Sequence, residues 1–155
     1  MGVYRLEDLR LWQAANAQHN RVQKLLQRQD FIQDPTLTAQ LAASSSALVG
    51  HIKDGFLRQD RQEMLQFLRY AVASNREVKA AFLVAEGRGY VAGAEFRGLI
   101  AGHESIARML RRWQTTLESE QRATASMSRS CAPAAPDGDE QAPRRRAAMA
   151  NPPKA

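Results

Sequence analysis

Residues 37–86 decide the fold and read LTAQLAASSSALVGHIKDGFLRQDRQEMLQFLRYAVASNREVKAAFLVAE. Apolar residues recur every three or four positions from Leu37 to Ile52, and again from Phe67 to Ala85. This spacing places the apolar side chains on one face of each of two helices. Between them, Gly55 has the residue type that ends a helix, and the sequence DRQE at residues 60–63 resembles a capping box. The stretch therefore predicts a helical hairpin.

Matching segments flank this hairpin on both sides. From Leu6 to Arg28, and from Gly93 to Arg122, apolar residues return at spacings of three and four. Asp34 and Pro35 have the residue types of a helix cap and a first helical position. Four such helices with short connections predict an all-α, up-down-up-down antiparallel four-helix bundle. Several large apolar residues lie off the seams and suggest a second buried face through self-association: Leu11, Leu25, Leu65, Leu68, Val72, Leu83 and Ile100.

Composition divides the chain into two parts. Residues 1–122 form the predicted bundle, whereas residues 123–155 are rich in Ala, Pro, Ser and charge and contain no aromatic residue. Such a composition predicts a disordered basic tail. The charged N-terminus and the absence of a long apolar run predict a cytoplasmic protein without a membrane partner. Cys131 is the single cysteine, so no internal disulfide and no cysteine-based zinc site are expected.

The charge is strongly basic, with a formal value of +6. Residues 1–122 alone hold 17 Lys and Arg against 13 Asp and Glu. Arg58, Arg108 and Arg122 each follow a carboxylate by four residues, which predicts ordinary pairing on a helix surface. Cations without such a neighbour are the candidate nucleic-acid-binding residues: Arg21, Lys24, Arg28, Arg61, Arg69, Arg111 and Arg112. For each of them a solvated surface charge is the competing interpretation.

His19 and His103 lie on predicted seams at similar heights of the bundle, and Glu77 is predicted at the same level, with Ser44 and Ser45 opposite. Two histidines and one carboxylate could hold a metal ion. A hydrogen-bonded polar layer that sets helix register is the alternative, and the absence of a Glu-x-x-His pair favours it. We therefore expect no metal and no other cofactor.

Catalytic motifs are absent from the sequence. The glycines at positions 87, 89 and 93 miss the dinucleotide-binding pattern and follow a helix, so they indicate a helix end. No Walker loop or nucleophile elbow occurs. Trp12 and Trp113 are predicted to be core aromatics. These observations predict a protein that is not an enzyme.

Five short motifs together resemble a known family. They are Leu6-Glu7-Asp8-Leu9 with Trp12-Gln13, Leu37-Thr38-x-Gln40-Leu41, Ile52-x-x-Gly55-Phe56-x-Arg58, Phe67-Leu68-Arg69-x-Ala71-x-x-Ser74-x-x-Glu77, and Gly89-Tyr90. In order and spacing they resemble the bacterial four-helix-bundle proteins encoded in intervening sequences of 23S ribosomal RNA genes. The chain departs from the family pattern in the second helix, where Ala42-Ala43 and residues 47–55 replace the usual arginine and proline-containing run.

The resemblance implies a cytoplasmic homopentamer. A related group, the accessory proteins of diversity-generating retroelements, implies binding to nucleic acid and to a reverse transcriptase. We therefore expect a non-enzymatic homopentamer that binds RNA or DNA through a basic surface, as an accessory factor to a reverse transcriptase or to ribosomal RNA. A structural oligomer that binds only proteins is the alternative.

Overall fold

The computed structural model describes residues 5–130 of the chain. A 3₁₀ turn at Leu6–Asp8 precedes five helices: α1 (Arg10–Leu25), α2 (Gln29–Ile32), α3 (Pro35–Phe56), α4 (Arg61–Gly87) and α5 (Gly93–Ser130). No strand occurs within this range, so the all-α class is confirmed. None of the helices in these residues is long and apolar enough to cross a membrane.

Both predicted N-terminal caps are confirmed. The Asp34 carboxylate accepts a hydrogen bond from the backbone N–H of Leu37 at 3.2 Å. Asp60 accepts two, from Gln62 at 2.8 Å and from Glu63 at 2.9 Å. Each carboxylate supplies a partner to amides that have none inside the helix, and it lies at the positive end of the helix dipole. The caps therefore fix where α3 and α4 begin.

The end of α4 follows from glycine. Gly89 has φ of +77°, a left-handed conformation that favours glycine. The Tyr90 N–H donates to the carbonyl of Ala85, and the Gly89 N–H donates to the carbonyl of Glu86, both at 2.9 Å. These two bonds form a Schellman motif, which satisfies carbonyls at the helix end. The predicted stop is confirmed at this position.

Gly55 does not end α3, and that prediction is wrong. It is buried inside the helix, and a Cβ at this position would lie 3.2 Å from the Cβ of Phe67 on α4. Its missing side chain therefore permits the close approach of α3 and α4. The helix continues to Phe56, with Leu57 as its C-terminal cap residue.

Two other predicted helix ends also change. The first helix ends at Leu25 and not at Arg28, and the connection that follows contains the one-turn helix α2. Phe31 of α2 is fully buried and packs edge-on against Tyr90 with ring centroids 5.4 Å apart, so burial of this ring orders the turn. At the other end, α5 continues past Arg122 to Ser130. Disorder predicted for residues 123–130 is therefore wrong, and residues 131–155 lie outside the described range.

Two apolar clusters form the core. Helix α3 packs against α1 and α4, and α5 packs against the same two helices. Val22, Leu41 and Phe82 belong to one cluster, whereas Ile52 and Leu110 belong to the other. Each long helix contributes to both clusters, and its polar buried residues fall between them in the sequence. The core is thus divided by a polar layer.

Most of the apparent surplus of apolar residues is buried within the chain itself. Leu11, Leu25, Leu65 and Leu68 are all core residues. Because they fill the two clusters, they no longer indicate a second buried face. Leu83 does remain exposed, at 57%.

Candidate nucleic-acid interface

The seven predicted nucleic-acid-binding residues occupy three separate places on the surface. Arg21, Lys24 and Arg28 line one shallow cleft together with Glu95. Arg61 and Arg69 lie on the first half of α4, and Arg69 lines a second cleft with Gln121. Arg111 and Arg112 lie on α5 and line a third depression. The structure therefore does not collect the predicted set into one site.

Two of the seven are paired with carboxylates of another helix. Arg28 makes a two-pronged contact with Glu95, with Nη1 donating to Oε2 at 2.9 Å. This hydrogen bond raises the pKa of Arg28 and lowers the pKa of Glu95. Arg61 lies 3.3 Å from Glu120. Spacing within one helix does not reveal these two pairs, because both carboxylates come from α5.

Two ion pairs predicted within a helix do not form, because one residue of each pairs with a different partner. Glu104 pairs with Lys79 of α4 at 3.6 Å and not with Arg108. Arg58 pairs with Glu63 at 3.7 Å and not with Asp54. As a result Arg108 joins the cations that have no ion-pair partner among the described residues.

Three of these cations form the most concentrated positive charge on α5. We call Arg108, Arg111 and Arg112 the α5 basic band; all three are exposed and line one open depression. Thr115 and Thr116 lie one turn further along and donate their hydroxyls to the carbonyls of Arg111 and Arg112, at 2.9 and 3.0 Å. No carboxylate lines this depression. The guanidinium groups are therefore free to contact an anion.

Neighbouring helices extend the positive surface on both sides of the α5 basic band. Arg76 and Lys79 of α4 line a cleft together with Arg111. On the other side, Arg10 of α1 lines a cleft together with Arg112. Neither Arg10 nor Arg76 makes an ion pair within residues 5–130.

Sequence reasoning missed Arg10, Arg76, Lys79 and Arg108 as members of this surface. They come from three helices, so only tertiary packing brings them together. The one available signal was the cluster of three arginines within residues 108–112, which spans a little more than one helical turn. Such a surface can bind phosphate groups through charge-assisted hydrogen bonds, and the fork of each guanidinium suits two phosphate oxygens.

The predicted polar layer is present, but with a different member on α4. His103 is fully buried, and its Nδ1 lies 2.8 Å from Oδ1 of Asn75. The Nδ1 of His19 lies 3.0 Å from the hydroxyl of Ser45. Glu77 is exposed, because it is two residues beyond Asn75 and faces the opposite side of the helix. The prediction that Glu77 belongs to this layer is wrong.

The layer does not have the ligands of a metal site. Among the described residues, no three His, Cys, Asp or Glu side chains lie close enough together to hold a metal ion. Burial, together with the positive charges of Lys79 and Arg21, lowers the pKa of His103 to about 4. The imidazole is therefore neutral at pH 7 and serves as a hydrogen-bonding core residue.

The family model described as 23S rRNA-intervening sequence protein matches residues 7–112. No curated protein matches the chain. The matched region begins in the 3₁₀ turn before α1 and ends at Arg112, the last residue of the α5 basic band.

Proposed function

Because the chain belongs to the family of 23S rRNA-intervening sequence proteins, we propose that it is a non-enzymatic protein that binds nucleic acid, RNA or DNA, through a basic surface. The α5 basic band is the observation that carries this proposal. Its three guanidinium groups are exposed and unpaired among the described residues. Phosphate contacts of this kind release condensed counterions, which makes binding favourable and dependent on salt.

The basic surface predicts contacts to the backbone of the nucleic acid more than to particular bases. Arginine and lysine side chains supply most phosphate contacts in such complexes, and these contacts carry no sequence information. The band extends through Arg76 on one side and Arg10 on the other, whereas Lys79 beside Arg76 is paired with Glu104. It can therefore follow several successive phosphates.

We also propose that the four long helices form an up-down-up-down antiparallel bundle and that five copies assemble into a homopentamer. Two cross-helix contacts support the bundle, since His19 meets Ser45 and Asn75 meets His103 near the middle of their helices. Exposed apolar side chains on α4 support assembly, with Tyr70 at 45%, Leu83 at 57% and Val84 at 42% exposure. Large apolar side chains on a surface favour burial against a partner.

Assembly strengthens the nucleic-acid proposal. Residues 1–122 carry 17 Lys and Arg against 13 Asp and Glu, so five copies bring about +20 before the remaining residues are counted. A ring of that charge attracts a polyanion far more strongly than one copy does, because each copy adds contacts to the same strand.

A non-enzymatic role agrees with how the polar groups are placed. The hydrogen bond between His19 and Ser45 pairs a nucleophile with a base in chemical terms. However, Ser45 is only 1% exposed and lies beneath packed helices, so a substrate does not reach its hydroxyl. The pair is better suited to holding α1 against α3.

In this proposal the protein acts in the cytoplasm, as an accessory factor to a reverse transcriptase or to ribosomal RNA. The matched family supports ribosomal RNA as the partner, and a reverse transcriptase is implied through the retroelement accessory proteins, the group that resembles this family.

A purely structural oligomer that binds proteins is the second candidate function, and one surface favours it. His51, Phe67 and Tyr70 pack together, with centroid distances of 5.5 to 6.3 Å. The Arg58 guanidinium lies 4.7 Å above the Phe67 ring. Tyr70 is exposed and Phe67 is half-buried, and aromatic and arginine side chains at a surface are enriched in protein interfaces.

Neutralisation of the α5 basic band tests the proposed function. Arg108, Arg111 and Arg112 are replaced by Gln together, and binding of a labelled RNA is measured by fluorescence anisotropy. We expect at least a ~10-fold loss of affinity at low salt, about 1.4 kcal/mol. The matched control replaces Arg5, Arg58 and Arg88 by Gln. It removes the same charge, but from arginines that each face a carboxylate.

The two candidate functions give different results in this experiment. Nucleic-acid binding through the α5 basic band requires that the band variant binds much less RNA than the control does. Equal affinity in the wild type and the band variant would show that RNA binds elsewhere on the surface, whereas no RNA binding at low salt would favour the protein-binding scaffold.

A further inference from the structure

The cleft that Arg10 and Arg112 line adjoins the α5 basic band. It lies between residues 8–11, where the 3₁₀ turn leads into α1, and the middle of α5, and has a volume of about 510 Å³. Sites that bind small organic groups commonly fall between about 300 and 1,000 Å³. We call it the Trp113 cleft, because the Trp113 ring is its largest side chain.

The Trp113 cleft combines an apolar floor with positive charge. Leu9, Leu11 and Met109 line it together with Trp113, and all four belong to or pack on one core cluster. Trp113 is only half-buried, although its sequence position predicts a core aromatic. Part of its ring therefore remains available to a flat, apolar group.

Charged side chains are distributed unevenly around the Trp113 cleft. Arg10 and Arg112 both line it, and neither makes an ion pair within the described part of the chain. Asp8 also lines it, at the edge formed by the 3₁₀ turn. A phosphate is repelled by Asp8 and attracted by Arg112, so an anionic ligand is favoured on the α5 side.

The cleft and the α5 basic band are continuous. Arg112 and Thr116 line both the depression of the band and the Trp113 cleft. A ligand with its phosphate on Arg112 can therefore place an attached planar group against Trp113 and further phosphates on Arg108 and Arg111. A strand of nucleic acid with unpaired bases has this arrangement of groups.

We propose that the Trp113 cleft receives an unpaired base of a single-stranded nucleic acid while the α5 basic band holds the phosphates of the same strand. This inference rests on the proposed function and names its substrate class. Bases of a duplex are paired and stacked inside the helix, so a duplex contacts the band through its backbone only. Stacking of one base on an aromatic ring contributes about 1–3 kcal/mol, so the protein prefers single strands.

The test compares one oligonucleotide, chosen to lack internal pairing, with the same strand annealed to its complement. Binding to the full chain is measured at one salt concentration. We expect Trp113→Leu to lower affinity for the single strand ~10-fold, within the range of a lost stacking contact. Affinity for the duplex is unchanged, and Trp113→Phe keeps part of the single-strand preference. Phe67→Leu removes a half-buried aromatic ring elsewhere and serves as the matched control.

A second measurement uses the wild-type protein and does not depend on the folding of a variant. The strand carries 5-bromouracil, which crosslinks on irradiation to an aromatic ring that it stacks against. Trypsin releases residues 113–122 between Arg112 and Arg122. We expect mass spectrometry to find the crosslink on this peptide, at Trp113.

The outcomes separate this inference from the proposed function. Binding of both forms with equal affinity, equal loss of both in Trp113→Leu, or crosslinks only at other residues would overturn the Trp113 cleft and leave the band in place. A free mononucleotide that binds as tightly as the strand would also overturn it. Absence of binding to either form at low salt would overturn the proposed function as well.

Discussion

His103 and Asn75 join α5 to α4 through two hydrogen bonds in the middle of the core. The Nδ1 of His103 lies 2.8 Å from Oδ1 of Asn75, and the Asn75 amide donates to the His103 carbonyl at 3.0 Å. With the amide in this orientation, Nδ1 carries the proton and Nε2 does not. The Nε2 atom is buried and has no hydrogen-bond partner among residues 5–130. The pair thus fixes the register of two helices, and burial keeps the imidazole neutral.

Replacement of Asn75 tests this link. Asn75→Ala removes the hydrogen-bond partner of the His103 Nδ1–H and of the His103 backbone carbonyl inside the core. The loss costs about 1–3 kcal/mol in the free energy of unfolding. Glu77→Ala is the matched control on the same helix. Because Glu77 is exposed, its removal changes stability by less than about 0.5 kcal/mol. Urea unfolding measures both, and equal effects would contradict a structural role for Asn75.

The buried histidine predicts a loss of stability in mild acid. Its pKa falls from 6.5 to about 4 in the folded chain, first because of burial and then because of Lys79 and Arg21. Below pH 6.5 the unfolded chain binds a proton that the folded chain does not, so stability decreases as the pH falls toward 4 and becomes level below it. From pH 8 to pH 5 this lowers the free energy of unfolding by about 2 kcal/mol.

His103→Gln isolates this effect, because Gln is polar but does not titrate. The stability difference between wild type and variant, measured by urea unfolding at pH 8 and pH 5, should shrink by about the same 2 kcal/mol. A difference that stays constant over this range would show that His103 titrates normally in the fold.

Two glycines of α3 should respond to substitution with opposite signs. A Cβ at Gly50 meets nothing within 4 Å, so Gly50→Ala stabilises the helix by about 0.5–1 kcal/mol. At Gly55 a Cβ already lies 3.2 Å from the Cβ of Phe67, so Gly55→Val overpacks the contact with α4 and destabilises by about 1–3 kcal/mol. Thermal unfolding checks both. Stabilisation by Gly55→Val would contradict the close approach of α3 and α4.

Exposed apolar residues of α4 predict a defect in assembly. Leu83 is 57% exposed in the single chain, and Leu83→Arg places a charge where the proposed homopentamer buries an apolar side chain. Light scattering with in-line chromatography should show a mass near five chains for the wild type and a lower mass for the variant. Met127→Arg, at a residue 73% exposed near the end of α5, is the control and should leave the mass unchanged.

Structural features that depend on residues close together in the chain could be predicted from the sequence. The caps at Asp34 and Asp60 and the end of α4 at Gly89 each depend on residues within one turn. The polar layer could also be placed, because helix lengths bring His19 and His103 to the same height. These predictions needed only helix geometry.

The surface could not be predicted in the same way. Arg28 binds Glu95 across 67 positions of sequence, and Arg61 binds Glu120 of the same distant helix. Lys79 takes Glu104 away from Arg108. Pairing of exposed charges depends on how helices are rotated against each other, which the spacing of residues within one helix does not reveal. Arg28 and Arg61 therefore have carboxylate partners, whereas Arg108 is left without one among the described residues.

The dependence of RNA affinity on salt tests the central claim most directly. Affinity of the full-length wild-type protein for a single-stranded RNA is measured over a series of salt concentrations, together with the Arg108, Arg111 and Arg112 to Gln variant. Each phosphate contact contributes about −0.7 to the slope of log affinity against log salt for a single strand. The account predicts a steep negative slope for the wild type that becomes shallower by about 2 in the variant. A slope near zero, or the same slope in both proteins, would contradict nucleic-acid binding through the α5 basic band.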